Sequence, residues 1–262
     1  MPREARHAKL VRVKPHTRPR RRRACLLTLL LAAAIPALAR SEGLSLAWQD
    51  CRAPGGSGQL LQAPGCTSNI LEIPLFPTFT LATAVDSVIS AELVIDVDVD
   101  QDPLPAWWRM DPGQCRAGGW RADAAPVSNC TDAWAGNGTA DFQGWLPFVP
   151  FGSNRHGRLL VAAGVLSGDA VTLDAETQYA VCRVLLRTNN TTACEGCTVP
   201  ACLVLNSILL RRLPGSSVET VLVQVADMPG SNMVTWQSTN GPNCLSVPTR
   251  RSTWGAVKAL YR

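Results

Sequence analysis

Past its first 39 residues the chain holds one histidine, His156, one lysine, Lys258, and no apolar run near the roughly 20 residues that a spanning helix needs. One histidine restricts nucleophilic catalysis. A serine triad would have to use His156, no Gly-x-Ser-x-Gly elbow precedes a helical pattern, and Cys182 has no other imidazole to activate it. No long amphipathic helix pattern is present either, which excludes helical layers and leaves a fold of strands. Basic charge is scarce as well. Of the 25 Lys and Arg the first 39 residues carry 10, and of the 20 Asp and Glu they carry 1, so the remaining 15 basic and 19 acidic residues sum to −4. Counterion release needs a basic footprint on the folded domain, so nucleic acid is not the expected partner.

The N-terminus has the three parts of an export signal. Arg18 and Arg20 to Arg23 close a basic run, Ala24 to Ile35 form an apolar stretch, and Ala37-Leu38-Ala39 places small residues where a signal peptidase reads. The expected product is 40–262, cleaved near Ala39 and secreted, periplasmic or held at the cell surface, with no transmembrane segment. Arg22-Arg23-Ala24-Cys25-Leu26 also resembles a twin-arginine signal, and the residues do not separate that route from general secretion. The product is long enough for one domain with its own core.

Nine of the 10 cysteines fall in that product, and in an exported chain they read as disulfides before they read as metal ligands. Cys51 and Cys66 bracket one turn-rich loop and Cys115 and Cys130 another. Two such local bridges are expected, each closing a loop worth roughly 3 kcal/mol. Cys194, Cys197, Cys202 and Cys244 would form two more, tying a turn-rich knot to a turn near the C-terminus, with the pairing left open. Cys182 remains as a buried thiol on an alternating strand with Ala180, Val184 and Leu186. Cys194-x-x-Cys197 as half a zinc site or a redox pair is outweighed by export and acidic surroundings.

Alternation places strands at Leu44–Trp48, 90–100, 158–166, 177–187, 201–210, 218–226 and 232–237. Pro74 and Pro77 interrupt 69–79, which predicts an edge strand there. In 90–100, Leu93, Ile95, Val97 and Val99 share one face and Asp96, Asp98 and Asp100 the other. The acidic face reads as solvated. Calcium at Asp98, Asp100 and Asp102 is the one cofactor this pattern leaves open. A Trp-, Gly- and Pro-rich insert occupies about 101–150, with short strands expected near 118–124 and 140–146. Its tryptophans are expected mainly as core plugs. Trp107 and Trp108 are the pair expected at the surface, because neighbours on a strand cannot both point inward, and an exposed pair could stack on sugar rings. Residues 252–262 predict a short helix with Trp254, Val257 and Tyr261 on one face. The fold class expected is mainly β, a disulfide-stapled antiparallel β-sandwich with this short C-terminal helix.

Cys-x-x-Cys followed by Val-Leu-Asn-Ser-Ile, Val-Thr-Trp-Gln at 234–237, and the ending Thr-Trp-Gly-x-Val-Lys-x-Leu-Tyr-Arg together resemble a group of uncharacterised exported bacterial proteins. That resemblance implies export and carries over no functional residue. More distantly, 91–186 is similar to the sandwiches of cohesin and immunoglobulin-like modules, a likeness of fold alone.

The functional expectation is a secreted, non-enzymatic binding or structural module of the cell surface or matrix. Its partner would be a polysaccharide or a protein, the former through Trp107 and Trp108. The alternatives are a secreted hydrolase using paired carboxylates and a partner-binding or inhibitor protein presenting the stapled loops at 51–66 and 115–130.

Overall fold

Strand-forming alternation builds two mixed β-sheets that pack together, in a computed structural model that describes residues 42–52, 56–124, 129–148, 154–224, 226–228, 230–238 and 244. The export signal and the expected C-terminal helix lie outside the described residues. The first sheet comprises β1 (Gly43–Trp48), β3 (Glu72–Thr80), β5 (Trp120–Asp123), β6 (Thr131–Asp132), β10 (Gln178–Ala180) and β11 (Arg183–Arg187). The second comprises β2 (Leu61–Gln62), β4 (Val85–Val99), β7 (Thr139–Pro147), β8 (His156–Gly164), β9 (Val171–Leu173), β12 (Ala201–Arg212), β13 (Thr220–Val223) and β14 (Met233–Trp236). No α-helix occurs among the described residues, and none of their helices is long and apolar enough to cross a membrane.

The sheets are mixed rather than purely antiparallel. β6 pairs with β10 and β2 with β14 in parallel, each through two residues, while the other ladders are antiparallel. Long loops, not hairpins, deliver β2 and β6, so nothing imposes the antiparallel direction on them. Leu93, Ile95, Val97 and Val99 of β4 point into one core with Leu203, Leu205, Ile208 and Leu210 of β12. Strict alternation along β12 would put Ser207 in that core. A register shift between Leu205 and Ser207 prevents this, and the extra residue, Asn206, reaches the Asp96 carboxylate instead.

β3 is central, contrary to the edge position its prolines predict. It pairs with β1 on one side and with β10 and β11 on the other. The carbonyl of Pro74 accepts from Gln49 N at 2.9 Å and that of Pro77 from Val181 N at 3.2 Å. A residue's N–H and C=O share one side of an antiparallel strand, so each missing donor faces a break, where β1 ends or where β10 gives way to β11.

Four disulfides join distant segments: Cys51–Cys130, Cys66–Cys197, Cys115–Cys194 and Cys202–Cys244. The local pairs Cys51–Cys66 and Cys115–Cys130 do not form. The bridges close sequence separations of 79, 131, 79 and 42 residues, and in the chain-entropy model such loops constrain the unfolded chain more than 15-residue loops do. Sheet pairing sets these partners. Cys194 and Cys197 each reach back to an earlier loop, so neither retains a thiol for zinc or redox exchange with the other. Cys182 is free and buried, as expected, and burial pushes its thiol well above the ordinary range.

Candidate functional site

The residues singled out for ligand contact turn out to be structural. Trp107 and Trp108 are 0% exposed, which corrects their assignment to a surface platform. They lie in a single 3-10 turn, Ala106–Trp108, and not on a strand, so the alternation that would expose one of them does not apply. The turn is pinned to the knot by Trp107 N donating to Glu195 O at 2.8 Å. Trp107 stacks on Trp236 with ring centroids 4.9 Å apart, and Trp108 meets Trp107 edge-on at 4.8 Å. Arg116, itself fully buried, lies 3.8 Å over the Trp107 ring and donates to the carbonyls of Trp107 and Asn189. Burial lowers its guanidinium to about 9, so it stays protonated at neutral pH.

The acidic face of β4 is not solvated. Asp96 is 1% and Asp98 4% exposed, because arginines arrive beside them from the β8 side. Arg158, opposite Asp96 in the register, grips it in a fork at 2.6 and 2.9 Å. Arg155 binds both oxygens of Asp98 at 2.7 Å, and His156 Nε2 stands 3.2 Å from the same carboxylate. Burial pushes the Asp96 carboxyl up against the bonds from Arg158 and Asn206, and holds the His156 imidazole below 6.5 against the pull of Asp98. His156 opens β8 and is buried.

These contacts also correct the calcium reading. Asp98 gives both oxygens to Arg155, while Asp100 and Asp102 are exposed, Asp102 acting on His156 through its charge. Among the described residues one group of three or more potential ligands converges within metal reach, Asp50 with Cys51 and Cys130. Its two sulfurs are bonded to each other, and a disulfide is not a thiolate ligand. Asp50 instead ties the loop together, accepting from Cys51 N, Ser57 N and Oγ, and Asn129 Nδ2. Burial would raise its carboxyl, but those donors outweigh burial and lower it from 3.8.

The surface offers a different site. The loop leading into β3 is held by the Cys66–Cys197 bridge and by reciprocal bonds between Asn69 and Thr192, at 2.9 and 3.0 Å. Buried Thr188 fastens its other end, its hydroxyl accepting from Leu71 N at 2.9 Å and its amide donating to Leu71 O at 2.8 Å. This frame projects Ile70, 89% exposed, beside Leu71 at 40%. At the base of the loop is an open pocket of about 300 Å³ lined by residues 69–72, Arg187 and Asn189. Glu72 and Arg187 face each other across β3 and β11, with Nε 3.4 Å from the carboxylate. The bond from Arg116 to Asn189 O supports the pocket floor from the tryptophan cluster. Sequence reading did not identify this site. Its only local signal was an apolar Ile-Leu pair in a turn-rich loop, and the second wall comes from residues more than a hundred positions later.

The geometry defines a mainly β protein of two packed mixed sheets with four disulfides, a covalent pattern that goes with an oxidising, extracytoplasmic location. No family model matches the chain, and no curated protein matches it. Among solved structures it is similar to that described as "AvmM Catalyzes Macrocyclization in Alchivemycin A Biosynthesis", with 12% identity and a TM-score of 0.29 over 71% of this chain and 90% of that one. A likeness that low carries no argument about fold or activity.

Proposed function

We propose that residues 40–262 act, after export, as a non-enzymatic binding module at the cell surface, with the braced loop at 66–71 as its contact surface. The observation that carries this reading is the loop itself. A disulfide, two reciprocal side-chain bonds and a buried threonine hold an isoleucine that is 89% exposed. Fixing a loop before binding removes an ordering cost that association would otherwise carry, which is a reason for a surface loop to be braced this heavily. The two buried carboxylates of β4 are engaged in ion pairs. Asp96 and Asp98 face arginines at 2.6 to 2.9 Å and do not face each other across a cleft.

The test is retention of the oxidised exported protein on isolated cell envelope. Ile70→Asp is expected to reduce retention about tenfold while leaving the melting temperature unchanged, since the residue is exposed. Equal retention of the variant and the parent would reject the loop as the contact surface.

A further inference from the structure

The pocket beside the loop has a donor and acceptor pattern that selects among ligands, and we infer that it takes a neutral, hydroxyl-rich ligand, a sugar unit, through Glu72 and Arg187. This rests on the binding-module reading and adds the chemical class. Glu72 and Arg187 are a directly opposed cross-strand pair, 3.4 Å apart and each a little under half exposed. Their charges cancel. An anion drawn to Arg187 meets Glu72, and a cation drawn to Glu72, on which Arg183 also acts, meets Arg187, so the pair itself favours neither kind of ion. A vicinal diol is different, because each hydroxyl both donates and accepts and can bridge the carboxylate and the guanidinium together.

The pair has capacity for this. Arg187 turns Nε toward Glu72 and has no other side-chain partner among the described residues, which leaves the outer donors of its fork for a ligand. Ile70 and Leu71 supply apolar surface at the rim for the C–H face of a sugar ring. A volume of about 300 Å³ stands at the small end of ligand pockets and suits one or two sugar units. Thr188 and Arg116 hold the walls from the buried side, so the polar groups are positioned before the ligand arrives.

The experiment is a titration of isotope-labelled exported protein with soluble cello-, xylo-, malto- and chito-oligosaccharides, read by amide chemical shifts. One neutral series is expected to give saturable shifts centred on residues 69–72 and 187–189. Glu72→Gln and Arg187→Met are each expected to weaken that binding about tenfold, the loss of one charged hydrogen bond. Arg211→Met, whose partner Glu92 lies on the other sheet, leaves it unchanged. Affinity that rises with oligomer length identifies a polysaccharide as the source, and equal affinity for the monosaccharide identifies a free sugar. Shifts centred elsewhere, no saturation by any neutral series at millimolar concentration, or tighter binding of an anionic or cationic oligosaccharide overturns the inference. If the sugars fail while Ile70-dependent envelope retention persists, the pocket assignment falls and the binding module stands. If both fail, the module reading falls too.

Discussion

A buried charge depends on what faces it, and Asp96 shows how much. Its carboxylate is 1% exposed and receives both arms of Arg158 together with Asn206. Arg158→Met is expected to cost about 3–5 kcal/mol by leaving that carboxylate buried without its cation. The double variant Asp96→Leu, Arg158→Met should cost distinctly less, because it removes both desolvated charges. Urea titration of the two proteins checks the difference, and equal losses would mean that the ion pair is not the issue. His156 supplies a pH dependence. The fold holds its imidazole below 6.5, so as pH falls the unfolded chain takes the proton first. Its stabilising contribution is complete above 6.5 and is lost below it. Melting temperatures of the parent and His156→Gln should diverge most above 6.5 and converge as the solution is acidified.

At the scale of elements, the knot at 194–199 carries more contacts than its length suggests. It accepts the Trp107 amide through Glu195 O and the Trp236 indole N–H through Cys197 O, and it anchors two disulfides. Gly196 makes this possible. Its φ is +106°, and a Cβ there would lie 2.5 Å from Pro105 Cβ. Gly196→Ala is expected to destabilise by about 1–3 kcal/mol, from left-handed backbone strain added to displacement of the 3-10 turn that carries the tryptophans. Loss of near-ultraviolet dichroism from the cluster, along with a lower melting temperature, is the signature to measure. The bridges should also differ in reactivity. Every bridge has a buried end, at Cys51, Cys194, Cys197, or Cys202 and Cys244, but Cys115 is exposed where Cys66 and Cys130 are half-buried. Timed alkylation under mild reductant should label Cys115 and Cys194 before any other pair, since exchange requires access to a sulfur.

For the molecule as a whole, covalent bracing and the core are one system. Three of the four bridges tie irregular loops to one another or to the knot, and the fourth fixes Cys202 of β12 to Cys244. Among the described residues, Asp98 is committed to an ion pair and is not open to a cation. Millimolar calcium or a chelator should leave the melting temperature unchanged, because both oxygens of Asp98 are occupied by Arg155. A calcium-dependent rise would place a cation where the ion pairs now stand.

Several features were legible in the residues alone. Period-two alternation located β1, β4, β8, β12 and β14 to within a few residues, because burial of one sheet face imposes that period, and the improbability of a fifty-residue loop placed β5 and β7 in the Trp-rich insert. The odd cysteine, Cys182, was recognisable as a small buried hydrophobe from its place in such a pattern. What the tertiary structure decided was every question of partnership. Spacing suggested that Cys51 meets Cys66, but strand pairing brings it to Cys130, and the same register delivers Arg158 to Asp96 and Arg155 to Asp98. Adjacent Trp107 and Trp108 could both be buried because a turn, not a strand, carries them. The pocket has walls from residues 69–72 and 187–189. Alternation is a local property, written into consecutive residues by the geometry of one strand. The neighbour across a ladder or a disulfide lies far along the chain, and only the folded register selects it.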